Sequence, residues 1–138
     1  TCKVSRVNAV AVPHNTSTVL LFDEATTEEW DAGSMHSTST NPSRLTIPTA
    51  GNGVYQISVN IKFAPGSAVG GTRMVQIRKN GTVIESIQHD VGVSTNYYIS
   101  ANISYYLLAS NYIDIQVFHF TGVSNNVSGS FSMTKLSI

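Results

Sequence analysis

Between Tyr55 and Phe63 hydrophobic and polar residues alternate without a break: Tyr55, Ile57, Val59, Ile61 and Phe63 fall on one side, and Gln56, Ser58, Asn60 and Lys62 on the other. A period of two puts successive side chains on opposite faces of an extended chain, so this segment is a strand with one buried and one solvated face. Tyr97 to Leu107 repeats the pattern, with Ile99, Ala101, Ile103 and Tyr105 set against Tyr98, Ser100, Asn102 and Ser104. Tyr112 to Phe120 follows, with Ile113, Ile115 and Val117 on one side. Met74 to Lys79 points Val75 and Ile77 inward and meets Asn80-Gly81, a pair that tolerates positive φ in a two-residue hairpin. The return strand is Thr82 to Gln88, and a closing strand runs from about Val127 to Ile138. Lys3 to Val12, Thr18 to Phe22 and Arg44 to Ile47 are shorter candidates. Strands separated by Gly, Pro, Asn and Ser turns predict an all-β antiparallel sandwich or jelly roll of about 8–10 strands, in a single domain over residues 1–138. Asp23 to Ser43 has no period and reads as one long irregular segment, of the kind that often carries function. Gly70-Gly71 reads as a turn.

Composition supports the class. The chain has 15 Val and 11 Ile against 6 Leu and 9 Ala, and β-branched side chains suit a pleated surface better than a helix. Its 18 Ser, 14 Thr and 11 Asn compete with helical backbone bonds and sit well in turns and on solvated sheet faces. Eight basic and eight acidic residues cancel, which argues against a nucleic-acid binder with its basic stripe. A hydrophobic share of 41% excludes a disordered chain, and the apolar runs are too short to span a bilayer. The one cysteine, Cys2, permits no intrachain disulfide and no zinc cluster. Residues 1–12 lack the apolar core of a secretory signal, so the expectation is a protein made in a reducing cytoplasm.

Five of the eight acids, Asp23, Glu24, Glu28, Glu29 and Asp31, lie within nine residues around the single Trp30. Several carboxylate oxygens are what a hard cation such as calcium takes, and a Trp beside charges is a common contact anchor. The simpler reading is a solvated acidic loop with Trp30 covering the end of the sandwich. His14, His36, His89 and His119 show no metal-ligand spacing, and His119, between Phe118 and Phe120, is expected to be packed or at a rim. No Gly-x-Ser-x-Gly elbow and no phosphate-cradling glycine loop occurs, so no catalytic residue, metal ligand or cofactor is assigned. Asn-x-Ser/Thr triplets at Asn15, Asn80, Asn102 and Asn126 are expected by chance in so Ser/Thr/Asn-rich a chain.

The order of local motifs carries a resemblance. Gly53-Val54-Tyr55-Gln56-Ile57-Ser58 is similar to the Gly-x-Tyr-x-x-Ser opening of a core strand in C1q-like and tumour-necrosis-factor-like jelly rolls. Pro48-Thr49-Ala50-Gly51 resembles the turn before it, and Ile77-Arg78-Lys79-Asn80-Gly81 their Lys-Asn-(Gly/Asn) hairpin. Leu107 to Val117 resembles a strand pair of the family, with Ser110-Asn111 where Gly-Asp is usual, and Ser128-Gly129-Ser130-Phe131-Ser132 resembles the closing strand. These motifs cover residues 44–138 in order. The stretch from Trp30-Asp31 through Met35-His36-Ser37-Thr38-Ser39-Thr40-Asn41 to Arg44-Leu45-Thr46 is similar to C1q-like domains encoded by bacteriophages and their bacterial hosts.

The resemblance implies a homotrimer whose interface is the outer face of one sheet. By strand position that face is Gln56, Ser58, Asn60, Tyr98, Ser100, Asn102 and Ser104, with Tyr98 and Tyr106 as aromatics near its rim. It further implies a non-enzymatic bacteriophage structural protein on the virion surface, of the capsid-decoration or head-fibre type. In this expectation residues 1–12 form an anchoring N-terminal strand for a capsid or other virion protein. Lys3, Arg6, Glu28, Glu29, Trp30 and Asp31 are the partner-binding candidates. The alternative is a tail-fibre tip recognising host-surface glycan, for host attachment, with Trp30, Tyr97 and Tyr112 as the stacking aromatics. A secreted, cytokine-like ligand is a third reading.

Overall fold

The computed structural model describes residues 1–24, 28–65 and 69–137. Ten strands occur among them: β1 (Cys2–Val12), β2 (Thr18–Val19), β3 (Glu28–Asp31), β4 (Arg44–Thr46), β5 (Gly53–Pro65), β6 (Val69–Lys79), β7 (Thr82–Ser94), β8 (Tyr97–Leu107), β9 (Tyr112–Phe120) and β10 (Asn125–Ser137). They form two antiparallel sheets. The first has the order β3-β1-β10-β5-β8; the second has β2-β9-β6-β7, with β4 on the same edge of β9 as β2. The first and last long strands are neighbours in the first sheet, as a jelly roll requires.

The alternation read from β5 is the alternation of burial: Tyr55, Ile57, Val59, Ile61 and Phe63 are buried. Ile99 on β8, Val75 and Ile77 on β6, and Ile113, Ile115 and Val117 on β9 close on them from the same and the opposite sheet. β10 adds Val127, Phe131 and Met133, and the Phe131 ring meets Phe22 with centroids 6.1 Å apart. Each such side chain contributes about 1.5–3 kcal/mol by leaving water. Tyr55 buries its ring and donates its hydroxyl to the Gly51 carbonyl at 2.7 Å, tying β5 to the Pro48–Gly51 turn.

Local backbone chemistry fixes the ends of the strands. Asn80 and Gly81 both have positive φ, 48° and 82°, as a two-residue hairpin between Lys79 and Thr82 demands. Ser110, where the resembling motif has Gly, also sits at positive φ, 67°. The neighbouring Asn111 stabilises that turn by accepting from the Leu108 N–H at 2.9 Å.

The structure corrects four expectations. Gly70-Gly71 is not a turn but lies inside β6, where the ladder to β7 shifts register between Val69 and Gly71. A Cβ on Gly71 would fall 2.2 Å from the Phe120 carbonyl oxygen, so the glycine marks a close approach of β9. Within Asp23–Ser43 the residues Glu28–Asp31 form β3, paired with β1; residues 25–27 lie outside the described residues. The strand expected over Thr18–Phe22 ends at Val19, although Leu20 and Phe22 continue inward into the core. The return strand does not stop at Gln88 but extends to Ser94. Ile138, expected in the closing strand, lies outside the described residues.

Gly129 marks a close approach within the first sheet. Its φ is 154°, and a Cβ there would lie 2.2 Å from the Asn60 carbonyl oxygen on β5. Gly129→Ala is therefore expected to lower the unfolding free energy read from denaturant titration by about 2–4 kcal/mol. At Gly92, where a Cβ meets nothing within 4 Å, the same change is expected to stay within about 0.5 kcal/mol. Equal effects at both positions would contradict this packing.

Candidate functional site

The cross-strand register lines up the outward residues of the first sheet in rows. One row runs Ser5, Ser130, Asn60, Ser100, and the next Lys3, Ser132, Ser58, Asn102. A third runs Thr134, Gln56, Ser104. The eight residues expected at an interface, Gln56, Ser58, Asn60, Tyr98, Ser100, Asn102, Ser104 and Tyr106, all lie on this one face. The centre of the face carries no charge, and its polar groups hold one another in place. Asn102 Oδ1 accepts from Gln56 Nε2 and Ser58 Oγ, both at 3.0 Å, and Asn60 Oδ1 accepts from Ser100 Oγ at 3.1 Å. Tyr98 and Tyr106 stand at the margins, 58% and 52% exposed. Ser128, Ser130, Ser132 and Thr134 on β10 also belong to this face. Their alternation with Val127, Phe131 and Met133 is visible in the sequence, but only the strand order reveals that β10 lies between β1 and β5.

The face is bounded by an unprotected edge. β8 pairs only with β5 among the described strands, and its eleven residues include no charge and no proline, the usual devices that stop an edge from pairing with another chain. The outer face of the second sheet differs. There Arg78 grips the nearly buried Asp114 with two bonds, Nε to Oδ1 at 2.7 Å and Nη2 to Oδ2 at 2.8 Å, and Arg44 stacks on Tyr112 at 3.8 Å.

An open groove of about 340 Å³ crosses the first face. Ser128, Gly129 and Ser130 line it together with Arg6 and Val7 on β1 and Lys62 and Tyr98 across the sheet. Val7 lies where the β1–β10 pairing is interrupted between Arg6 and Val10, and its N–H donates to Glu24 Oε2 at 3.1 Å.

The acidic segment and the front of the chain are bound to each other. Lys3 Nζ pairs with Glu29 at 2.8 Å and lies over the Trp30 ring at 5.3 Å, and the Ser5 hydroxyl also donates to Glu29. These donors hold Glu29 below the usual carboxylate range. Arg6 Nη1 reaches Asp23 at 2.8 Å and the Leu21 carbonyl at 2.9 Å. Glu28 meets His36 Nδ1 at 2.8 Å. Burial works against the charge of Asp31, yet the backbone N–H groups of Met35, His36 and Gly33 and the Cys2 thiol outweigh it and hold Asp31 low. Burial, then Asp31 and Glu28, pushes the Cys2 thiol up to about 12, leaving it an inert core donor. The partner-binding candidates Lys3, Glu28, Glu29 and Asp31 thus hold β3 and the following loop against β1, and Arg6 holds the segment ending at Asp23. Trp30, 47% exposed, is the aromatic of the three glycan candidates that stands open; Tyr97 bonds His89 Nδ1 at 2.8 Å and Tyr112 lies under Arg44. Calcium, expected as one reading of this cluster, finds no ready cage: no group of three or more His, Cys, Asp or Glu among the described residues could hold a metal ion.

Each histidine is engaged. His14 accepts from the Gly122 N–H at 2.9 Å, His36 bridges Glu28 and the Pro42 carbonyl, His89 meets Tyr97, and the buried His119 bonds Val12 and Thr121. His119 is therefore packed, as its flanking phenylalanines suggest. No helix among the described residues is long and apolar enough to cross a membrane.

Asp31 gives this segment a pH signature. Its folded value lies below the ordinary 3.8, so its contribution is complete above that value and is lost as pH falls through it. Asp31→Ala is expected to cost about 1–3 kcal/mol at pH 7. In denaturant titrations the gap to the parent protein is expected to narrow below pH 4; a gap independent of pH would contradict the role of the carboxylate.

No protein-family model matches the sequence, and no curated protein does. Solved structures do. The globular domain of zebrafish complement 1qA protein superposes with a TM-score of 0.72 at 14% identity, over 98% of this chain and 95% of that one. Eiger TNF from S. frugiperda gives 0.66 at 13% identity, over 99% and 91%. Murine APRIL, crystallised at pH 5.0, gives 0.60 at 10% identity, over 98% and 97%. The chain has the jelly-roll fold of the C1q and tumour-necrosis-factor domains along essentially its whole length.

Proposed function

We propose that this domain is a non-enzymatic homotrimeric module that works by assembly and display, closed through the outer face of the first sheet. One observation carries the reading: a face whose centre is uncharged and internally hydrogen-bonded is continuous with the unguarded edge strand β8. A monomer would leave that edge free to pair with any other chain, whereas a cyclic assembly covers it in every copy. The jelly-roll fold and the motif resemblance support three copies. The interface is read as polar at its centre, with Tyr98 and Tyr106 as amphipathic anchors near its margins.

The setting we propose is the surface of a bacteriophage particle, as a capsid-decoration or head-fibre protein made in the host cytoplasm. The likeness of residues 30–46 to phage-encoded domains supports this. A threefold module matches a threefold site, and three weak contacts add through avidity. β1 pairs with β10 over Cys2–Arg6 and Val10–Val12 and with β3 only from Cys2 to Val4, and anchoring through the front of the chain is read as acting through its outward side chains and the exposed Val7–Ala9 segment.

Light scattering or mass photometry is expected to give three times the chain mass, and Ser58→Arg, at the centre of the face, is expected to give a folded monomer. On a solvated face that change is worth no more than about 0.5 kcal/mol and leaves the mass unchanged. A stable monomer for the parent protein would overturn the reading.

A further inference from the structure

We propose that the end of the sandwich held by His119 is an acid-sensitive latch, which releases the segments 13–17 and 121–124 when His119 takes up a second ring proton. His119 points inward from β9 and is fully buried. Its Nε2 lies 2.8 Å from the Val12 carbonyl, an acceptor only, so Nε2 carries the proton. Nδ1 therefore holds a lone pair and faces the Asn125 amide nitrogen at 3.2 Å and the Thr121 hydroxyl at 3.0 Å. The neutral ring thus joins three segments of both sheets: the end of β1, the turn after β9, and the start of β10. The segments beyond are tied to the same place, Asn15 N–H to the His119 carbonyl at 2.9 Å and Gly122 N–H to His14 Nδ1 at 2.9 Å.

The surroundings suit only the neutral ring. Directly across the ladder on β6 is Arg73, also fully buried, whose guanidinium donates to the Val69 and Gly71 carbonyls and whose Nε has no partner. The His14 ring is 6.4 Å away. On β7, His89 lies opposite Arg73 and is engaged with Tyr97, while Asp90 bonds Thr72. No carboxylate among the described residues acts on His119; burial first, then His14 and Arg73, hold it below its ordinary value against the bond to Val12. A group depressed in this way contributes stability above its ordinary value near 6.5 and loses it as pH falls.

Asn125 makes the latch two-state. Its amide nitrogen also donates to Thr121 Oγ1 at 2.9 Å and to the Val123 carbonyl at 3.3 Å, while its Oδ1 is buried without a partner. Thr121 Oγ1 gives its proton to the Val123 carbonyl at 3.1 Å and can accept from a protonated Nδ1, but the Asn125 amide nitrogen, 3.2 Å away, would then face Nδ1–H donor to donor; turning the Asn125 amide over removes that clash and presents its oxygen instead. The same turn withdraws the amide nitrogen from Thr121 and Val123, which frees the 121–124 segment.

Hydrogen exchange of the whole chain, compared as protection factors at pH 7.5 and 5.0, tests this. Amides in 10–16 and 119–127 are expected to lose at least about tenfold in protection at pH 5.0, while 48–56 and 107–113 at the opposite end keep theirs. His119→Gln, which cannot titrate, is expected to show equal protection at both values. Asn125→Asp, which sets a carboxylate beside Nδ1, is expected to reverse the sign and be more protected at pH 5.0. Unchanged protection in the parent, equal loss at both ends, or the parent's acid response retained in His119→Gln would overturn the latch. If His119→Gln does not fold, the parent's acid response retained in Asn125→Asp overturns it.

Discussion

The register between β5 and β10 is the constraint on which the rest depends. Twelve paired positions run from Asn125↔Pro65 to Ser137↔Val54, and side chains alternate faces with a period of two. A slip of β10 by one residue against β5 would turn Phe131 and Met133 to solvent and drive Ser130 and Ser132 into the core. The alternation of both strands opposes such a slip, and Gly129 against the Asn60 carbonyl pins it at one point. The register that builds the core therefore also builds the polar rows on the outside. Interior and exterior are two readings of one pairing.

The two outer faces then diverge in chemistry. On the second sheet, charge is placed in pairs such as Arg78–Asp114 and stacked on aromatics such as Tyr112. On the first sheet, charge lies away from the centre of the face: Lys3 pairs with Glu29 of β3 and Arg6 with Asp23 at one side, and Lys62 stands near the end of β5 beside Tyr98. The centre is left to Ser, Thr, Asn and Gln. Short polar side chains that already bond to one another lose little rotamer freedom when covered, so such a face can be buried at small entropic cost. With an uncharged edge strand beside it, assembly is the economical reading of the face.

Much of this was legible in the sequence because the informative signals are local. Tyr97–Leu107 and Tyr112–Phe120 occupy the same residues as strands and as alternating runs, and Asn80-Gly81 states its turn by chemistry alone. The outward set of β5 and β8 follows from the same period. What was hidden depends on partners distant in the chain. Glu28-Glu29-Trp30-Asp31 has no alternation and becomes a strand only because β1 pairs with it. Gly70-Gly71 looks like a turn because the nearness of β9 and β7 is not written locally. Buried Arg73, Asp114 and Asn125 sit where hydrophobic residues are the rule, and nothing in their neighbours announces it.

In the proposed assembly the outer face of the first sheet is covered by other copies of the chain. Hydroxyl-radical footprinting compares its two marginal tyrosines with an aromatic on the other face within one sample. Phe120, 54% exposed on the second sheet, is the internal reference for Tyr98 and Tyr106. Both tyrosines are expected to be protected at concentrations where the assembly forms and to become oxidised on dilution, while Phe120 reacts throughout. Tyrosines that react at every concentration in proportion to their exposure in the single chain would contradict it.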